Sequence, residues 1–317
     1  MQGLTDSSTE RKGNMADIII VGAGPAGLSA AIYARRAGMS TTLYEGEMYG
    51  GQIINTPEIE NYPAIAKISG FDFAQDLYHQ ATNLGAVLEF DRVSGFSKTE
   101  TGFEVALDSG KTDTAKAIIL AVGASNRHLG IPREEELLGK GISYCATCDG
   151  AFYKGKTVAV NGGGNTAVED AIYLAGIAAK VYLIHRRNEF RADDVLVNAA
   201  KEIPNLEIVT PYVVENLLGE PKLSGVELSN REDGSKKQID VDGLFVAIGQ
   251  EPKTADFKDL ITLSGGYIEA GENCRTNIEG VFAAGDARTK KVRQLTTACA
   301  DGAVAALAAI DYIKLGV

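Results

Sequence analysis

The sequence predicts an α/β protein built from two similar units, the second inserted into the first. Three observations predict it. A segment near the start, DIIIVGAGPAGLSAAIYARRAGMSTTLYE (17–45), returns in outline as KTVAVNGGGNTAVEDAIYLAGIAAKVYLIH (156–185). Each copy reads as apolar strand, glycine turn, Ala-rich helix and second apolar strand, the order that lays down a parallel sheet. Two more apolar strands that end in glycine, AIILAVGA (117–124) and GLFVAIGQ (243–250), bracket the second copy.

Composition fits this organisation. A chain of 317 residues suffices for about two domains with sizeable cores. It is 45% hydrophobic and 23% charged, an ordinary globular mix. A formal net charge of -11 provides no basic face for nucleic acid. The opening MQGLTDSSTERKGN (1–14) is a polar tail without the apolar core of a signal peptide, and Met15 is a plausible natural start. No apolar run approaches membrane-spanning length; the best, Ala303 to Ile310, is short and ends at Asp311. Four cysteines are too few for a secreted disulfide framework, so a reducing, cytoplasmic setting is expected. The expected boundaries are 15–124 and 251–317 for the outer domain and 125–250 for the insert.

The glycine turns carry the first chemistry. A constant offset pairs Gly22 with Gly162, Gly24 with Gly164, and Gly27 with Ala167. The first glycine makes the tight turn, the second lets a pyrophosphate approach the backbone, and the third small residue lets helix and strand pack closely. Phosphate then sits on a helix N-terminus opened by Pro25-Ala26 in one copy and Asn165-Thr166 in the other. One such turn is weak evidence. Two, each between a strand and a helix, point to two Rossmann-like dinucleotide-binding domains.

The end of each second strand distinguishes the nucleotides. Glu45 offers a carboxylate to the hydroxyls of an adenosine ribose. The matching position is His185, followed by Arg186, Arg187 and Arg191, cations suited to a 2′-phosphate. The insert should therefore take NADPH. Two dinucleotides on one chain imply an electron relay, so the outer domain should hold FAD. GVFAAGDA (280–287) reads as a strand that delivers Asp286 to the flavin's ribityl or phosphate region. Val93, Gly123, Ile248 and Gly249 complete the expected cofactor-contacting set.

SYCATCDG (143–150) places Cys145 and Cys148 just before the second nucleotide unit. A structural zinc needs about four N/S ligands. The chain has no second CxxC and only His79, His128 and His185, so no metal site is expected. A staple across two residues closes almost no loop and would stabilise little. A redox disulfide, exchanging with a partner through a mixed disulfide, fits the pair better. Asp149 reads equally as a proton donor or as a turn residue before Gly150. Cys274 and Cys299 read as small buried residues.

Taken together, GAGPAG, GGQIINTPEIENYP (50–63), CATCDG, GGGNTA, HRRNEFR, FAAGDA and RQLTTACADG (293–302) resemble the low-molecular-weight bacterial thioredoxin reductases. The resemblance covers the chain after the polar tail. It implies a homodimer with FAD on each subunit. It implies that Glu45 to Gln52, including Gly50 and Gly51, lines the flavin nucleotide with Asn61, and that Asp286, Arg293 and Gln294 hold its other side. It implies that Cys148 faces the flavin, that Cys145 attacks the disulfide of thioredoxin, and that Asp149 is the acid-base residue. The chain order itself predicts two arrangements of the domains, because the cysteines and the nicotinamide are carried by one insert and must reach one flavin ring in turn. The chain departs from the pattern at Asn161, at NYPAI after the proline, and at Ala151, where some relatives carry an aromatic beside the one at Phe152. Reduction of another disulfide carrier (peroxiredoxin-linked or glutaredoxin-like) and oxidation of a small dithiol are the alternatives within enzymes. A ferredoxin–NADP reductase of related fold would not need the cysteine pair, and a nucleotide-sensing protein would bind NADPH without reducing a flavin.

Overall fold

The computed structural model describes residues 15–316; the polar tail lies outside the described residues. Its contacts divide the chain into two compact units. The first comprises residues up to Asn55, Ile68–Ala124 and the chain from Pro252 onward; the second comprises Thr56–Lys67 and Ser125–Glu251.

The first unit begins β1 (Ala16–Val21), α1 (Pro25–Arg36), β2 (Thr41–Glu45), α2 (Gly70–Asn83) and β3 (Val87–Phe90). It continues through an antiparallel excursion, β4 (Val93–Lys98), β5 (Phe103–Leu107) and β6 (Thr112–Leu120). The strand β7 (Ala124–Asn126) then leads into the insert. The second unit holds β8 (Ile142–Ser143), α3 (Ala146–Asp149), β9 (Thr157–Asn161), α4 (Asn165–Ala175), β10 (Lys180–Ile184), α5 (Asp194–Lys201) and β11 (Leu206–Val209). A meander follows, β12 (Tyr212–Leu218), β13 (Gly225–Asn230) and β14 (Lys236–Asp240), before β15 (Gly243–Val246). The return strand β16 (Gln250–Pro252) pairs with β7. The chain closes with β17 (Leu263–Ser264), β18 (Tyr267–Ile268), β19 (Val281–Ala283) and α6 (Leu295–Leu315).

The sequence repeat is a structural repeat. The parallel core of the first sheet runs β3-β2-β1-β6, with β19 added on β6; the second runs β11-β10-β9-β15-β8, parallel throughout. In register terms, β1 meets β2 at Val21↔Tyr44 and β9 meets β10 at Asn161↔Ile184. The antiparallel β4-β5 of one unit answers the meander β12-β13-β14 of the other. No sequence motif marked those strands.

The apolar runs follow from burial on both faces, as parallel sheets require. Ile18 and Ile20 pack with Leu28, Ala30, Ala305 and Ala309 of the flanking helices. Ile19 and Val21, pointing the other way, pack with Phe103, Val105 and Phe257. In the second unit Val158 and Val160 join the core beneath α4, with Ala167, Val168 and Ala171. Ala159, on the opposite face, joins Val226, Leu228 and Ile239 of the meander. Helices α1 and α6 approach closely because Gly302 has no side chain; a Cβ there would lie 2.1 Å from the Ala26 carbonyl oxygen. Among the described residues no helix is long and apolar enough to cross a membrane.

Candidate active site

In the first unit the turn after β1 is built as its glycines require. Gly22 has φ +102°, and a Cβ on it would lie 2.4 Å from the Ala121 carbonyl oxygen. A Cβ on Gly27 would lie 1.9 Å from the Gly22 oxygen. Gly24, the N-cap of α1, has nothing within 4 Å of its Cβ position, so the start of α1 is open to a ligand. Pro25 stands at the head of the helix, where its missing N–H costs nothing. Glu45 closes the turn: Oε2 accepts from the Ala23 N–H at 2.8 Å and Oε1 from the Glu47 N–H at 3.1 Å. Gly50 and Gly51 follow with φ +100° and +59°, and the Gly50 N–H donates to the Ala23 oxygen, which brings this loop, and Gln52 after it, beside the turn.

Asp286 follows β19, and its Oδ1 is buried without a hydrogen-bond partner. Burial pushes its carboxyl above the usual range. A buried orphan acceptor is costly unless a ligand donates to it. Arg293 lies 4.0 Å from the Tyr267 ring centroid and donates to the Asp286 and Arg288 carbonyl oxygens. Gln294 caps α6 through a capping box with Thr297. Beneath Asp286 is an ion pair that the sequence did not single out. Asp301 Oδ2 accepts from the Gly285 N–H, Arg288 Nε and Lys290 Nζ, and Oδ1 accepts from Arg288 Nη2 at 2.7 Å. Val93 is a core side chain, and Gly123 has φ +69°. Asn61 lies in Thr56–Lys67, which groups with the second unit.

The second unit repeats the turn. A Cβ on Gly162 would lie 2.3 Å from the Ala247 oxygen and 2.6 Å from the Ala167 Cβ. Gly164, the N-cap of α4, again faces open space. The Asn165 side chain exchanges two hydrogen bonds with Asp193, and Thr166 is exposed. His185 is only 6% exposed, whereas Arg186, Arg187 and Arg191 are all exposed around it. Ile248 is half-buried beside the core, and Gly249 has φ +107°.

Cys145 and Cys148 are joined by a disulfide, with Cα atoms 5.3 Å apart. Cys145 caps the short helix α3, its Sγ accepting from the Cys148 N–H at 3.2 Å. Asp149 ends α3 within this unit and is half-buried. Burial raises its carboxyl above the usual range, and a hydrogen bond from Ser143 draws it part of the way back. The Ser143 hydroxyl also accepts from the Cys145 N–H at 3.0 Å, so one buried hydroxyl ties the cysteine backbone to the acid. Nothing in the sequence marked Ser143. Nearby, Glu134 accepts from the Leu129 and Gly130 N–H groups and from the Tyr144 hydroxyl.

Residues 16–302 match the family described as pyridine nucleotide-disulphide oxidoreductase. The chain is 44% identical over 309 residues to a thioredoxin reductase of Helicobacter pylori, covering 95% of this chain and 99% of that one. It superposes on a thioredoxin reductase of Streptococcus pyogenes at 38% identity and TM-score 0.91, covering 95% of this chain and 98% of that one. On a thioredoxin reductase of Lactococcus lactis, in a state designated the FR conformation, the values are 37% and 0.64, covering 94% and 99%. Matched from its first strand into its last helix, the chain belongs to the pyridine nucleotide-disulphide oxidoreductase family and is an oxidoreductase that uses a flavin and a nicotinamide nucleotide.

Proposed function

We propose that the protein reduces the disulfide of thioredoxin with NADPH, through FAD on the first unit and the Cys145–Cys148 disulfide of the second. The observation that carries this reading is the bonded cysteine pair with a half-buried carboxyl at its side, in the same unit as an arginine-rimmed nucleotide turn. The residues fit the cofactors. Open space over the N-termini of α1 and α4 suits two pyrophosphates, and the orphan Oδ1 of Asp286 suits a ribityl hydroxyl. Glu45 retains acceptor capacity for ribose hydroxyls. Arg186, Arg187 and Arg191 suit a 2′-phosphate. When bound, the flavin would supply what no side chain can, two-electron redox chemistry between a nicotinamide and a disulfide.

The protein's own residues then carry the exchange. In the reduced pair the Cys148 N–H favours a thiolate on Cys145, as helix N-termini do. Cys145 Sγ attacks one sulfur of the partner disulfide; the other partner sulfur leaves and takes a proton, for which Asp149 is the acid within the motif. Cys148 then gives up its proton and attacks Cys145 Sγ, which re-forms the internal disulfide; the partner's second sulfur leaves and takes up a proton to become a thiol.

The cysteines and the nucleotide turn share one unit, so they would alternate at the flavin by a rotation. The crossings carry Gly123 and Gly249, both at positive φ, in positions suited to absorb backbone change. We take the working form to be a cytoplasmic homodimer; Val304 and Leu307 on α6 provide exposed apolar surface for a second copy.

Ala151 precedes the exposed Phe152, so a single aromatic stands here to meet a partner, and other disulfide carriers are the alternative substrates. A coupled assay comparing thioredoxin with glutaredoxin-like and peroxiredoxin-linked carriers decides between them. Thioredoxin should give the highest kcat/KM; faster turnover of another carrier would overturn the assignment of the substrate.

A further inference from the structure

The two nucleotide turns differ at one pair of positions. The residue between the first two glycines is Ala23 in the first turn and Gly163 in the second; Ala23 meets Glu45, the last residue of β2, and Gly163 lies against His185, the residue just after β10. In the first turn the Ala23 N–H donates to Glu45, and the alanine methyl is fully buried without conflict. In the second, a Cβ on Gly163 would lie 2.1 Å from Cε1, 2.2 Å from Nδ1 and 2.5 Å from Nε2 of His185. Contacts under 3.0 Å are not made by real side chains, and this ring has nowhere to go. It is 6% exposed and packs on Phe190 with centroids 5.0 Å apart. It also hydrogen-bonds the Glu189 carbonyl, and its Nε2 is buried with no partner.

Gly163 does not have a positive φ, so its backbone conformation does not call for glycine; the imidazole does. The Gly163 carbonyl also accepts from the Arg191 N–H at 2.8 Å and from the Ala192 N–H at 3.2 Å. The phosphate turn and the loop bearing Arg186, Arg187 and Arg191 are therefore fixed to one another at this residue. Packed on Phe190 and against Gly163, His185 is placed to shape that loop. We propose that Gly163 and His185 form a matched pair that holds the three arginines against the phosphate turn, making His185 a positioning residue and Gly163 a determinant of preference for a 2′-phosphate. This rests on the proposed use of NADPH.

The test is calorimetric titration of the flavin-loaded protein with adenosine 2′,5′-bisphosphate and with AMP. The wild type should prefer the bisphosphate. Gly163→Ala should weaken the bisphosphate at least about tenfold, a factor worth about 1.4 kcal/mol, with little change for AMP. In turnover it should raise KM for NADPH more than it lowers kcat. Adding Gly163→Ala to His185→Ala should cost little more, because the obstructing ring is gone. His185→Asn, which keeps a donor for the Glu189 carbonyl and lacks Nε2, should retain the preference that His185→Ala loses. Three results would overturn the pairing: an unchanged preference in Gly163→Ala, an undiminished Gly163→Ala penalty on the His185→Ala background, or a loss in His185→Asn equal to that in His185→Ala. A wild type with no preference for the bisphosphate would instead overturn the NADPH reading itself, and the pairing with it.

Discussion

The Ser143 hydroxyl donates to Asp149 Oδ2 at 2.6 Å. Burial raises the Asp149 carboxyl above the usual range and this bond draws it part of the way back. Ser143→Ala should therefore move the limb of the pH–rate profile that reports Asp149 to higher pH. Asp149→Asn should lower thioredoxin reduction by about a hundredfold or more, the usual scale of general acid catalysis, while leaving NADPH-driven flavin reduction in place. Single-turnover rates across the acid and neutral range check both. A Ser143→Ala profile superimposable on the wild type would separate the serine from the acid.

Asp286 should behave in opposite ways with and without flavin. Its unpartnered Oδ1 is a liability of about 1–3 kcal/mol when no ligand donates to it. Asp286→Ala should release flavin readily yet leave the flavin-free protein no less stable. The absorbance ratio of flavin to protein and the melting temperature of the flavin-free form test this pair of expectations. Undiminished flavin retention would remove Asp286 from the cofactor site.

The Arg288–Asp301 pair should be a stability determinant of the first unit. Both side chains are buried, and removing one partner of a buried pair costs about 3–5 kcal/mol. Arg288→Met should lower the urea midpoint accordingly, and Arg288→Met with Asp301→Leu should recover part of the loss. Burial alone would raise the Asp301 carboxyl, but hydrogen bonds from Arg288 and Lys290 outweigh it and hold the native pKa below the usual value. Its contribution is therefore fully present above the unfolded pKa of about 3.9 and is lost as pH falls through the lower native value. Asp301→Asn should flatten the stability profile in that acid range.

Coenzyme choice should reside in the exposed arginines. Charge-assisted hydrogen bonds contribute roughly 1.5–3 kcal/mol and less where solvent screens them. Arg186→Ala with Arg187→Ala should lower the kcat/KM ratio of NADPH to NADH at least about tenfold. An unchanged ratio would sink the assignment.

What the sequence made legible were features with a local signature. Gly22 and Gly162 announced duplicate turns because only glycine fits against the Ala121 and Ala247 carbonyls. The unbroken apolar run Ile18, Ile19, Ile20 and Val21 announced a strand buried on both faces. The CxxC announced itself by spacing. Contacts made by ordinary residues were not legible. Ser143 is a common serine until the turn into α3 folds it onto Asp149. Arg288 and Asp301 are one pairing among 31 basic and 42 acidic residues, and only the meeting of α6 with the loop after β19 selects it. His185 reads as one more cation of HRRNEFR, yet the fold buries it while exposing the arginines beside it.

The central claim is that electrons from NADPH pass through the Cys145–Cys148 disulfide to a protein disulfide. The most direct measurement is the visible spectrum of the protein, taken anaerobically after enough NADPH to fill its two-electron acceptors (two equivalents for the wild type, which has flavin and disulfide, and one for Cys145→Ser, which has flavin alone) and again after oxidised thioredoxin. Both proteins should bleach with NADPH. Only the wild type should regain its flavin absorbance with thioredoxin, releasing two equivalents of thioredoxin dithiol as both the flavin and the cysteine pair are re-oxidised. Equal recovery in Cys145→Ser would contradict the account, because electrons would then be reaching thioredoxin without the disulfide.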